Sequence, residues 1–541
     1  MMKQLVPLFL LFTVGIFCNA FGQGVPADSL KEVQHRSDRF RSELKDSVRL
    51  TILIGNVKLV QGHTIFYCDS AVMNPQSNII EAFGNIHIND NDSVHTYAQY
   101  LIYHTDTRIA NLQKQVKLTN GKTVLYTDEL TYNVNDKIGE YHTGGRIVND
   151  KTVLTSKEGI YYTDLKDAYF MGNVLLNDPQ YTLKTDSLLY NTGTQVSTFI
   201  ALTHIKDSTN KEITTREGFY DLKNKTASFG KRPIIRDGAV FITANTIDSN
   251  DSTGINILKG NAVYKDTAQG VAVIGNLIQA NKKEGSFVAT QHPLMIIRQD
   301  KDSLYITGDT LISGRLSKLP KAIQITDSTA QVDTLTTTMV INADTTAAND
   351  STDRYFMAYH HVRIFSDSLQ AISDSLFYSG KDSIFKLFQN PIVWASNSQV
   401  TGDTIYLYTK NKKPEKLYVF ENGMAINKSD SNAIMFNQLK GNRLFGYFKN
   451  GEVDYMRAKG SAESIYFVKD EENKVVGINK ATADIIDLRF QNKELDKVVF
   501  ISEPKATMYP LSKLPEDERK LRSFKWLDKL RPKTKFELFA N

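Results

Sequence analysis

The feature that most constrains this chain is a repeat. Tyr103, Tyr132, Tyr161 and Tyr190 stand 29 residues apart each time, and Tyr220 follows 30 residues later. A second marker shares the period: Gly55-Asn56-Val57, Gly84-Asn85-Ile86, Gly172-Asn173-Val174 and Gly260-Asn261-Ala262. Weaker copies stand at Lys114-Gln115-Val116, Gly145-Arg146-Ile147 and Thr203-His204-Ile205. Two markers in one period define a repeated supersecondary unit. Between the markers, apolar and polar residues alternate, as in Asn56-Val57-Lys58-Leu59 and Asn85-Ile86-His87-Ile88. A period of two means a strand with one buried face. A helical repeat is excluded by that period and by the dominance of β-branched and aromatic residues. A unit of this length holds two or three strands.

The expected fold class is therefore all-β and repetitive, with repeats over residues 51–310. A stretch at 311–352, rich in Thr, Asp and Ala, reads as an insertion or linker. A second repeat region follows over 353–510, with copies such as Asp374-Ser375-Leu376-Phe377-Tyr378 and Gly402-Asp403-Thr404-Ile405-Tyr406. Residues 23–50 form a polar leader. Residues 511–541 are charged and partly helical, with Leu521, Phe524, Leu527 and Leu530 on one apolar face and Pro532 ending it.

Residues 1–22 read as a secretory signal. Lys3 supplies the positive start, Leu5–Phe17 the apolar core, and Ala20-Phe21-Gly22 the small residues before a cut at Gln23. Cleavage leaves Cys68 without a partner, so the exported chain relies on backbone pairing and packing and not on disulfides.

The formal charge of +5 on 541 residues is too mild for a nucleic-acid-binding protein. No phosphate loop, nucleophile elbow or zinc-spaced Cys pair is present, so no catalytic residue, metal or cofactor is expected. His360-His361 invites a metal reading, but neighbours on a strand face opposite sides. Asn89-Asp90-Asn91-Asp92-Ser93 lacks the Gly and distal Glu of a calcium loop and reads as a polar turn. The many Asp-Ser and Asp-Thr pairs recur with the repeat, which points to turn and strand-entry roles.

The units Gly55-Asn56-Val57-Lys58-Leu59 and Gly84-Asn85-Ile86-His87-Ile88, followed by strands such as Asp128-Glu129-Leu130-Thr131-Tyr132, resemble the OstA/LptA-like lipopolysaccharide-transport family. The resemblance covers about Val48–Asp266, and Phe356–Pro510 looks like more of the same fold. It implies a β-jellyroll folded into a V, a periplasmic location, and acyl chains held on the inner faces. It also implies copies, or other transport-bridge proteins, joining end to end through open sheet edges, and it carries no catalytic signature. The chain departs from short family members in its length and central insertion. Strand signals fade after about Pro510, so no outer-membrane barrel is expected.

Alternation places Val57, Leu59, Ile86, Ile88, Val116, Leu118, Val174 and Leu176 on one inner wall. It places Leu130, Tyr132, Leu188 and Tyr190 on another. These twelve are the candidate lipid contacts, for lipopolysaccharide or a similar amphiphile. Burying acyl methylenes there stabilises a complex by about 0.8 kcal/mol each. The same pattern also fits a structural or surface β-solenoid with a filled core, and a polysaccharide-active enzyme on a β-helix stays open.

Overall fold

The computed structural model describes residues 32–298, 302–319, 351–410, 413–428, 435–449, 452–470, 472, 474–491 and 494–539. The expected signal segment lies outside these residues, as does most of the expected insertion. The described chain is almost all β, in antiparallel strands, and it divides after Gly172 into two compact units. Among the described residues, no helix is long and apolar enough to cross a membrane.

The described part of the expected leader is itself strand. In the first unit β1 (Gln34–Arg36) and β2 (Arg39–Lys45) pair with β3 (Val48–Gln61). The meander continues through β4 (Thr64–Asn74), β5 (Ile79–Asp90), β6 (Val94–His104), β7 (Ile109–Asn120) and β8 (Thr123–Asn133). Shorter strands follow: β9 (Ile138–Tyr141), β10 (Gly145–Asn149), β11 (Thr152–Ser156), β12 (Glu158–Tyr162) and the start of β13 (Asp167–Asn177).

Each long strand bends once, and the bend is what the Gly-Asn marker encodes. Gly55 (φ 80°) and Asn56 (φ 45°) are both left-handed, as are Gly84 (φ 72°) and Asn85 (φ 44°). Pairing between β3 and β4 shifts there, between Ile54 and Val57, and between β5 and β6 it shifts between Phe83 and Ile86. Two residues in the left-handed region turn the chain sharply, which Gly and Asn tolerate best. The neighbouring strand supports the corner through its recurring Asp. The Asn56 amide donates to Asp38 Oδ2 at 2.8 Å, the Asp38 N–H donates to the Gly55 carbonyl at 2.9 Å, and Asn85 donates to Asp69 Oδ2 at 2.9 Å. The Asp-Ser and Asp-Thr repeats are thus corner braces in part.

The corners split the meander of the first unit into two layers. Layer I holds the segments paired through Ile52↔Val72 and Ala82↔Leu101, and layer II those paired through Leu59↔Phe66 and Ile88↔Thr96. The layers face each other: the rings of Phe66 in layer II and Tyr103 in layer I meet at 4.5 Å.

The second unit repeats this chemistry with other residues. Lys231-Arg232, Gln291-His292, His360-His361, Gln389-Asn390 and Glu421-Asn422 are all left-handed pairs. Asn422 donates to Asp403 Oδ2 at 2.9 Å, as Asn85 does to Asp69. The expected C-terminal helix is absent from the described residues. Short 3-10 turns at Leu511–Lys513, Asp517–Arg519, Asp528–Leu530 and Lys535–Phe539 interrupt an extended segment. Spacing by three therefore did not mark a helical face: Leu521 is buried, whereas Leu530 is exposed.

Candidate functional site

The interior between the layers is the candidate site. All twelve predicted residues are buried, each 2% exposed or less. Val57, Leu59, Ile86, Ile88, Val116 and Leu118 line layer II of the first unit, and Leu130 and Tyr132 line layer I. Val174, Leu176, Leu188 and Tyr190 are buried in the second unit. Each unit encloses its own set of these side chains.

The side of the first unit opposite the corners is closed by polar side chains that sequence reading missed. Gln61 ends β3 fully buried; its amide donates to the Thr105 carbonyl at 2.9 Å, and it accepts from the Tyr103 hydroxyl at 2.5 Å. Asp90 ends β5, 2% exposed. It accepts from Tyr132 Oη at 2.9 Å and Thr64 Oγ1 at 3.1 Å, and it pairs with the Lys137 ammonium. Asn120 ends β7 and donates to the Thr163 carbonyl at 2.7 Å. Arg108 adds bonds to Thr64 Oγ1 at 2.9 Å and the Gln61 carbonyl at 3.3 Å. The signal lay in the sequence: Gln61, Asp90, Asn120 and Asn149 recur at the 29-to-30-residue period, each after an apolar alternation.

Burial controls the tyrosines of this seam. It pushes the Tyr103 hydroxyl up to about 12 and raises Tyr132 further still, with the Asp90 charge adding to it. Both remain neutral donors. Burial likewise pushes the Cys68 thiol up to about 12, so this free cysteine is an inert inner residue.

His360 and His361 occupy a corner, both left-handed (φ 56° and 52°), and not a flat strand. His360 Nδ1 lies 3.2 Å from Asp374 Oδ1 and His361 Nδ1 lies 3.0 Å from Asp309 Oδ2, so each faces a different carboxylate. Among the described residues no group of three or more His, Cys, Asp or Glu is placed to hold a metal. Asn89–Ser93 is a turn closed by Asn89 and Asp92, with Asp90 turned inward to the seam.

Residues 31–186 match the family described as OstA-like protein. This region of the chain is OstA-like. It takes in the first unit's corners, seam and interior. A similar solved structure is the crystal structure of LptH, the LptA-homologous periplasmic component of the lipopolysaccharide transport device of Pseudomonas aeruginosa. It is 16% identical, with 21% of this chain and 84% of that chain covered and a TM-score of 0.19. No curated protein matches the chain.

Beyond the OstA-like region, the second unit holds an inserted segment where the first has a seam. Its C-terminal segment runs back along the strands and is held by three buried glutamines. Gln438 donates to the Arg519 carbonyl and accepts from the Leu521 N–H, both at 2.8 Å. Gln399 does the same with Lys525 and Leu527, again at 2.8 Å. Gln370 accepts from Arg531 Nε at 2.8 Å, and Arg363 donates to the Glu537 carbonyl at 3.1 Å. Leu514 and Leu521 enter a core of Met424, Ile426, Ile465, Phe467 and Ile478, flanked by Phe524 and Trp526. Each buried leucine stabilises this docking by about 1.5–3 kcal/mol.

Proposed function

We propose that this chain is a periplasmic carrier or scaffold in lipopolysaccharide transport to the outer membrane, binding acyl chains between its β layers. The observation that carries the reading is the OstA-like match over residues 31–186, across a region whose interior is an apolar stack. Two features of construction support it. In the first unit the layers are joined covalently at the corners, and at the seam by side-chain hydrogen bonds and the Asp90–Lys137 ion pair, an arrangement suited to opening like a hinge. In the second unit the inserted segment is an extended chain with buried leucines, so this kind of interior accepts a linear apolar guest. Exposed Phe40 and Leu44 on β2 suit strand-to-strand joining with a second copy or another bridge protein.

A structural β-solenoid with a permanently filled core is the second reading, favoured by the complete burial of the twelve candidates and by the closed seam. Lipid retention separates the two. Full-length protein recovered from the periplasm is extracted and its lipids are identified by mass spectrometry. The carrier reading expects lipopolysaccharide or a related acylated amphiphile in near-stoichiometric amount, and more of it after Asp90→Ala loosens the seam. Absence of acyl lipid from both proteins establishes the filled core.

A further inference from the structure

The outer face of layer II carries a built row of aromatic and cationic side chains with no part in the interior. Strand register places Lys58 opposite Tyr67, Tyr67 opposite His87, and His87 opposite Tyr97. Tyr97 then faces Lys117, Lys117 faces Tyr126, and Tyr126 faces Arg146. The rings of His87 and Tyr97 stack 4.6 Å apart at 4°, and Tyr67 and His87 at 5.6 Å and 19°. Lys58 lies 5.8 Å from the Tyr67 ring centroid and Lys117 lies 5.5 Å from that of Tyr97.

Cross-strand pairs of this kind stabilise any sheet, so the row alone would mean little. Its charge and its relief point further. From β3 to β10 the row, together with the outward row beside it (Val60, Ile65, Asn89, His95, Thr119, Val124, Val148), contains no carboxylate. From β3 to β9 the two outward rows of layer I contain Glu81, Glu129 and Glu140 and neither lysine nor arginine. These rows of the two layers thus carry opposite charge. Among the described residues, no ion pair engages Lys58, Lys117 or Arg146. The row ends in an open cleft of about 630 Å³ lined by Tyr97, Lys117, Tyr126 and Arg146, with Gly144 and Gly145 beside them and Asp128 also in the lining. Gly144 leaves open space there where a side chain would stand.

We infer that this cleft and row form a binding site for a phosphorylated oligosaccharide. The exposed Tyr126 ring, which stacks on no other ring or cation among the described residues, offers an apolar face to the C–H surface of a sugar ring. Lys117 and Arg146 on either side of Tyr126 supply charge-assisted hydrogen bonds to phosphate. The source to which the site is assigned is the saccharide part of the same amphiphile class proposed for the interior, and to that extent the inference rests on the carrier reading.

The test uses a probe without acyl chains, so its outcome is independent of whether the interior takes lipid. Full-length protein is titrated calorimetrically with deacylated lipopolysaccharide, the phosphorylated core oligosaccharide alone. Saturable binding is expected. Tyr126→Ala and Arg146→Ala each weaken it about tenfold, and dephosphorylated probe binds at least about tenfold more weakly. Thr131→Ala, on the outer face of layer I, leaves it unchanged. Arg146→Ala alters an exposed side chain and leaves the core intact, so its result is readable even if Tyr126→Ala unfolds. No saturable binding, binding indifferent to Arg146→Ala and to phosphate, or equal affinity for a single-stranded oligonucleotide overturns the assignment.

Discussion

At the scale of the residue, Asp90 shows how one polar side chain closes one side of an apolar interior. A buried carboxylate is costly unless its lone pairs are met, and here Tyr132, Thr64 and Lys137 meet them. Tyr132→Phe keeps the ring and removes one of those bonds, so it should lower unfolding stability by about 1–3 kcal/mol in urea titration. Tyr126→Phe, on an exposed ring, should change it by less than about 0.5 kcal/mol. Equal effects would remove the seam from the account. A corner glycine offers a second comparison. Gly84 and Gly121 are both left-handed, at φ 72° and 64°, but an added Cβ meets Asp69 at the first and nothing within 4 Å at the second. Gly121→Ala should cost about 1–2 kcal/mol from backbone strain alone, and Gly84→Ala distinctly more. Third, burial, and then the neighbouring His95, hold the His87 imidazole below its ordinary value of 6.5. A group with a depressed folded pKa binds protons more weakly folded than unfolded. Its contribution is therefore complete above about 6.5 and lost as pH falls through the lowered value. Stability should drop with acidification below pH 6.5, and His87→Phe should flatten that drop in melting curves.

At the scale of the element, the corner was legible where Gly-Asn writes it and illegible elsewhere. Gly and Asn adopt left-handed backbone cheaply, so Gly55-Asn56 and Gly84-Asn85 stand out in sequence. Gln389-Asn390, Glu421-Asn422 and His360-His361 make the same corner with residues that carry no such signature. There the opposing strand supports the geometry, as when Asp309 N–H donates to the His360 carbonyl at 3.0 Å. Toward the C-terminus the strands lengthen: Lys413–Lys428 has 16 residues and Glu452–Lys469 has 18. The buried wall residues were legible from alternation. The seam was not, because Gln61 and Asp90 differ chemically while sharing a position. The docked C-terminal segment was misread as a helix because spacing by three was taken for one helical face, whereas Leu521 is buried and Leu530 exposed. Gln399→Leu leaves the Leu527 N–H and Lys525 carbonyl without their partner. It should speed hydrogen exchange at the Leu527 amide while leaving Leu118 in the first unit unchanged.

At the scale of the whole molecule, one plan serves each unit: bent strands, an apolar interior, and a side opposite the corners that is closed by side chains or by an inserted segment. Backbone pairing within the sheets holds such a unit together, which suits a chain with a single buried thiol and no disulfide among the described residues. The central claim is that acyl chains enter between the layers. The most direct measurement places a photocrosslinking amino acid at Leu118, which is buried, and at Thr131, on the outer face of layer I, in living cells. A lipopolysaccharide adduct is expected from Leu118 and none from Thr131. Adducts from neither position, or equally from both, would contradict it.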